Sequence, residues 1–160
     1  MAICFNENDV RCMGRDAAGV RGISLNEGDY VVGAEKMEEG KTLLTLTENG
    51  YGKRTALPEY LRTGPDGEKI PQSRGGKGLK NYNITPKTGN IAGCRVVGDN
   101  DDVMIIENGG VIIRVPAASI NVYKRDVQGV IVMRVEEGNK VVSLERVEQD
   151  EEPEAQETQE

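Results

Sequence analysis

The sequence predicts an all-β fold assembled from repeated units, and three observations carry that prediction. Every apolar run is short, rich in Val, Ile and Leu, and without the three-and-four spacing of a helix face, which is the patterning of strands. Turn signals punctuate the runs, above all Asn49-Gly50 and Asn108-Gly109, the strongest short-range hairpin signal. The chain also repeats itself: Arg15-Asp16-Ala17-Ala18-Gly19, Arg74-Gly75-Gly76-Lys77-Gly78 and Arg125-Asp126-Val127-Gln128-Gly129 lie 59 and then 51 residues apart. Self-similarity at a period of about 50 residues marks arrays of supersecondary units such as propeller blades.

Taken in order, the chain opens on Met1-Ala2-Ile3, which the repeat places on Val111-Ile112-Ile113, the outgoing strand of a hairpin. The incoming strand has no counterpart, so the expectation is about two and a half repeats, an unpaired first edge and a piece of a longer protein. Ile23 to Leu25 and Val31-Val32 then form a strand pair around Glu27-Gly28-Asp29. Leu43-Leu44-Thr45-Leu46-Thr47 alternates as a half-buried strand and enters Asn49-Gly50, read as a type I′ turn with both central residues at positive φ. Residues 61–73 hold the surplus of the longer period and carry Gly64-Pro65-Asp66-Gly67 and Pro71, turn chemistry in an exposed excursion.

The second hairpin, Val103 to Ile106 into Asn108-Gly109 and out through Val111-Ile112-Ile113, is apolar on both faces and is expected to be the more deeply buried of the two. At the same 59-residue offset, Lys53-Arg54 is replaced by Ile112-Ile113. Val130 to Met133 and Val141 to Leu144 form a last strand pair around Glu137-Gly138-Asn139. The folded part is placed at residues 1–147. Residues 148–160 carry seven acidic side chains and no basic one, a composition that cannot bury enough to order itself.

That tail holds the whole charge imbalance. Of 27 acidic residues, 20 precede it, matching the 20 Lys and Arg, so the body is neutral and a polyanionic partner is compatible with the acidic total. Cys4, Cys12 and Cys94 are odd in number and lack CxxC spacing, and the chain has no His; they read as reduced thiols in a cytoplasmic protein without a structural zinc site. No signal peptide or membrane span is visible. No general base or partnered nucleophile stands out, so no active site and no metal ligand is assigned. Arg15-Asp16 and Arg125-Asp126 read as local ion pairs of little weight.

The binding chemistry rests on the recurring Arg with its glycine turn. Small residues let backbone amides approach a phosphate, and a flanking cation adds a charge-assisted bond. Ser73-Arg74-Gly75-Gly76-Lys77-Gly78-Leu79-Lys80 is the densest instance, with three cations and three glycines; a flexible turn with solvated charges is the plain alternative. The candidate DNA-binding residues are Arg15, Arg21, Lys53, Arg54, Arg74, Lys77, Lys80, Arg114, Lys124 and Arg125, touching phosphate without reading sequence. A propeller-like surface that binds a protein partner instead is the competing reading.

Gly19-Val20-Arg21-Gly22-Ile23, Glu48-Asn49-Gly50-Tyr51-Gly52-Lys53-Arg54-Thr55 and Arg125-Asp126-Val127-Gln128-Gly129-Val130 resemble the C-terminal domain of the bacterial DNA gyrase A protein. The resemblance spans residues 2–147 and implies a partial β-pinwheel, propeller-like blades of antiparallel strands completed by exchange with a neighbour, whose basic rim wraps double-stranded DNA. It implies a fragment of an ATP-dependent type IIA topoisomerase with no catalytic residue of its own. The rest of gyrase A and the gyrase B protein would be the protein partners, with ATP and magnesium held by gyrase B and no cofactor in this chain. The equivalent domain of topoisomerase IV is the nearest alternative. Gln72-Ser73-Arg74-Gly75-Gly76-Lys77-Gly78 departs at one place from the family's Gln-Arg-Arg-Gly-Gly-Lys-Gly box, which belongs to the first blade, so it is expected to touch phosphate without being the wrapping determinant. Cys4 falls where Arg114 stands in the later copy, which removes one cation from the first. The acidic tail is given either a solvating role or a competing one against DNA.

Overall fold

A computed structural model describes residues 1–148; the acidic tail, from residue 149 on, lies outside the described residues. Nine strands account for the regular structure: β1 (Thr42–Thr47), β2 (Tyr51–Ala56), β3 (Arg62–Thr63), β4 (Lys69–Ile70), β5 (Ile91–Val97), β6 (Asp101–Glu107), β7 (Ile112–Pro116), β8 (Val130–Ile131) and β9 (Val141–Glu148). Short 3-10 turns cover Glu7–Asp9, Leu57–Tyr60 and Ala117–Ser119. Pairing is antiparallel throughout the three sheets, in the orders β5-β1-β2-β8, β3-β4 and β7-β6-β9. The all-β expectation holds, and the body runs one residue past 147, because Glu148 pairs with Asp101 at the end of β9.

The two larger sheets are versions of one design. The β1-β2 hairpin sets Leu46 opposite Gly52 and Leu44 opposite Arg54; the β6-β7 hairpin sets Ile106 opposite Ile112 and Met104 opposite Arg114. A third strand adds to each with the same irregularity, between Leu46 and Thr47 against β5 and between Ile106 and Glu107 against β9. Leu44, Leu46 and Val97 of the first sheet meet Val103, Ile105, Val141 and Leu144 of the second in one aliphatic core. The sheets approach closely where a Cβ on Gly93 would stand 2.4 Å from Leu144 Cδ2.

Several expectations need correction. The hairpin loops are not type I′ turns: Gly50 and Gly110 have φ of 79° and 93°, and among the described residues no residue other than glycine has positive φ. Gly50 N–H donates to Thr47 O and Gly110 N–H to Glu107 O, so each loop is an ordinary turn closed by a left-handed glycine. The structural offset between the hairpins is therefore 60, not 59, because Gly110 takes the role of Gly50. Arg114 then stands in the place of Arg54, and Ile113 in that of Lys53.

Burial is also the reverse of the expectation. The outgoing strand of the first hairpin, β2, is largely buried although it carries Lys53 and Arg54, while β7 alternates between exposed and half-buried residues. The reason is coverage, since residues 121–132 lie along β2 and β7 pairs with β6 alone. Nor do the segments around Gly138 pair with each other, because β8 joins β2 and β9 joins β6. Their counterparts at residues 23–25 and 31–32 form no strand; among the described residues before Thr42, the one β-bridge joins Ala2 to Leu79. Residues 61–73 fold back as the small β3-β4 hairpin, with Gly67 N–H on Gly64 O at 3.1 Å.

Candidate nucleic-acid interface

The segment that follows each of the first two Arg-glycine turns is bonded to the next turn. Gly75 N–H donates to Gly22 O at 2.7 Å and Ser24 N–H to Gly76 O at 2.8 Å, which ties the segment after the first turn to the second turn. Asn83 N–H donates to Val127 O at 3.4 Å, tying the segment after the second turn to the third turn. The recurring arginines serve these joints. Arg74 donates through Nε to Asp9 O at 3.1 Å and through its guanidinium to Arg21 O, and Arg125 donates to Lys80 O at 3.0 Å. Arg21 and Lys80 hold the same position of successive copies, so each of these arginines clips its turn onto the segment that follows the preceding one.

The glycines that end these turns are shaped for the same contact. Gly78 and Gly129 have φ of 73° and 78°, and a Cβ would stand 2.3 Å from Ala2 O and 2.4 Å from Gly52 O. No residue with a side chain fits such a position without displacing backbone. The three turns and the segments beside them carry Arg15, Arg21, Lys77, Lys80 and Lys124 as exposed side chains and Arg74 and Arg125 as half-buried ones. Lys80 reaches Asn83 Oδ1 at 3.2 Å. Neither Arg15-Asp16 nor Arg125-Asp126 forms an ion pair, and none of these exposed cations is paired with a carboxylate among the described residues.

Two candidates leave the set. Lys53 is fully buried, its ammonium donates to Lys124 O at 2.7 Å and Arg125 O at 2.5 Å, and it lies 5.2 Å from the centroid of the Tyr82 ring. Burial pushes its pKa down to about 8, with Arg125 adding to the fall and Asp126 and Glu59 opposing it. Arg54 is buried as well, donating to Ile120 O at 2.7 Å and to Asp99 Oδ1 at 2.5 Å. Both are buried and hold the third turn and the segment before it against β2. Arg114 is exposed, but it stands on β7 and pairs with Asp102 at 2.7 Å.

Exposed cations that the sequence reading left out are Arg11, Lys36, Arg62, Lys69, Lys87, whose ammonium lies 5.5 Å from the Tyr51 ring, Arg134 and Lys140. Only a structure shows that they are uncovered. The cysteines are free thiols, and burial raises the pKa of Cys4 and Cys94. No helix among the described residues is long and apolar enough to cross a membrane.

Antiparallel units that lend a strand to their neighbour define a propeller-like repeat domain. The family model of the DNA gyrase C-terminal domain, beta-propeller, matches residues 1–36, 41–70, 68–98 and 101–148, and the chain belongs to that family. Its relatives include the DNA gyrase A protein of Staphylococcus epidermidis (strain ATCC 12228 / FDA PCI 1200), 42% identical over 91% of this chain and 16% of the relative. The DNA gyrase A protein of Escherichia coli (strain K12) is 40% identical over 89% of this chain and 15% of its own length. The chain thus spans about a sixth of the curated relatives it matches. A solved DNA gyrase A C-terminal domain superposes with a TM-score of 0.77 at 27% identity, over 88% of this chain and 45% of that one. The C-terminal domain of DNA topoisomerase IV gives 0.77 at 27% identity, over 89% and 42%.

Proposed function

We propose that this chain binds and bends double-stranded DNA as part of the wrapping domain of a gyrase A-type protein. The observation that carries the proposal is the succession of Arg-glycine turns, the second and third each bonded to the segment that follows the preceding turn, with cations free of carboxylate partners at Arg15, Arg21, Lys77 and Lys124. A regular succession of cations suits a regular succession of phosphates, and contact with phosphate alone reads no sequence. Whole-chain relatives at 40% and 42% identity are gyrase A proteins, which favours gyrase over topoisomerase IV. In this reading, strand passage, ATP and magnesium belong to the remainder of gyrase A and to gyrase B, and the cellular setting is the cytoplasmic chromosome. The acidic residues beyond 148 either solvate the end or compete with DNA for these cations, and a chain ending at 148 that binds DNA no more tightly than the full chain excludes competition.

The test is a set of substitutions measured on mixed-sequence duplexes. Lys77→Ala with Lys124→Ala should weaken binding by about tenfold or more, since bonds to charged groups contribute about 1.5–3 kcal/mol each, and by the same factor on every sequence. Full binding by the double variant would contradict the proposed interface.

A further inference from the structure

The second and third turns rest on different side chains. Gln72 N–H donates to Cys4 O at 2.7 Å and Tyr123 N–H to Arg54 O at 2.8 Å, so Ile3 and Lys53 occupy the same place, one residue before each acceptor. Beneath the second turn the contact is apolar, with Ile3 Cδ1 3.6 Å from where a Cβ on Gly76 would stand. Beneath the third it is a charge. The Lys53 ammonium donates to Lys124 O at 2.7 Å and Arg125 O at 2.5 Å, and among the described residues no other side chain bonds these two carbonyls.

The remaining surroundings of the ammonium leave those carbonyls as its main anchors. Thr45 is its neighbour across β1, and the Tyr82 ring lies 5.2 Å away. Asp126 and Glu59 are the carboxylates whose charge reaches it and Arg125 the like charge, but no carboxylate among the described residues forms an ion pair with it. A fully buried cation therefore grips the backbone of the residues that carry Lys124 and Arg125.

We propose that Lys53 is a positioning residue for duplex binding: by holding the Lys124 and Arg125 carbonyls it fixes the third turn in the shape that presents Lys124 to phosphate. The inference rests on the DNA-binding reading. A hydrogen bond from a charged donor is about twice as strong as one from a neutral donor, and attraction to the face of an aromatic ring needs the charge. Burial brings the pKa of Lys53 down to about 8, so losing that proton relieves the buried charge and slackens the turn. Duplex affinity should then fall as pH rises through about 8, by the share that the third turn carries. The second turn, seated on Ile3, does not respond.

Affinity of the full chain for mixed-sequence duplexes, measured on both sides of pH 8, tests this. The unaltered chain and Lys77→Ala should lose affinity by the same factor across that window, and Lys124→Ala should lose little. Lys53→Met, which keeps the reach of the side chain without the charge, should weaken binding below pH 8 at least as far as Lys124→Ala does and show no further fall above it. The double variant Lys53→Met with Lys124→Ala should bind within about twofold of Lys53→Met alone, because both changes remove the same contact. Additive losses, or a fall with pH that Lys124→Ala retains in full, overturn the positioning role. Equal affinity of the unaltered chain on both sides of pH 8 overturns it without any variant. Failure of the DNA-binding reading looks different: Lys77→Ala and Lys124→Ala then bind as the unaltered chain does, and both proposals fall.

Discussion

Lys53 shows how a cation that reads as a surface contact becomes part of the scaffold. Its neighbours in sequence, Gly52 and Arg54, give no hint of burial; the cover comes from Lys124 and Arg125, some seventy residues later. Because burial pulls its pKa from 10.5 down to about 8, the unfolded chain holds a proton between those values that the folded chain has released. Stability therefore rises with pH across that window. Tyr60 acts in the other direction, since burial pushes its phenol from 10.0 up to about 12, and Tyr82 is raised further. Above pH 10 the unfolded chain releases phenol protons that the folded chain keeps, and stability falls. Equilibrium unfolding as a function of pH should show the rise and then the fall, and Lys53→Met should abolish the rise alone. A rise above pH 8 that persists unchanged in Lys53→Met would exclude this assignment.

At the level of the element, the two hairpins separate what the sequence reveals from what it hides. Alternation and Asn-Gly pairs located β1, β6 and β7 to within three residues, because strand period and turn chemistry are local properties. The single-residue difference in offset was not legible, because Gly109 matches Gly50 in letter while Gly110 matches it in conformation. Nor was the pairing of β8 and β9 with earlier hairpins, since their apolar runs look the same whichever strand they join. Gly50 and Gly110 now differ in a measurable way. A Cβ on Gly50 would stand 2.0 Å from Met133 O, while one on Gly110 meets nothing within 4 Å. Alanine at either position carries about 1–2 kcal/mol of left-handed strain, and Gly50→Ala adds about 1–3 kcal/mol of overpacking against residues 132–135. Denaturant titration should find Gly50→Ala the more damaging; equal losses would mean that residues 133–135 do not pack against that hairpin.

Across the whole molecule, the strand-sharing that unites the sheets also aligns the basic turns. Six of the ten candidate cations, Arg21, Arg74, Lys77, Lys80, Lys124 and Arg125, fall on the two bonded turns and the segments beside them, Arg15 lies on the first turn, and Lys53 and Arg54 hold the third turn and the segment before it from behind. The recurring arginines were legible from the repeat, but their role in clipping one turn to the next was not, because a carbonyl acceptor leaves no mark in the sequence. Phosphate binding by these cations is tested most directly by the salt dependence of duplex affinity. The logarithm of the binding constant should fall linearly with the logarithm of salt concentration, with a slope of about −0.9 for each phosphate neutralised. Lys77→Ala and Lys124→Ala should each flatten that slope by about one such step. An affinity indifferent to salt, or no binding at low salt, would contradict the assignment.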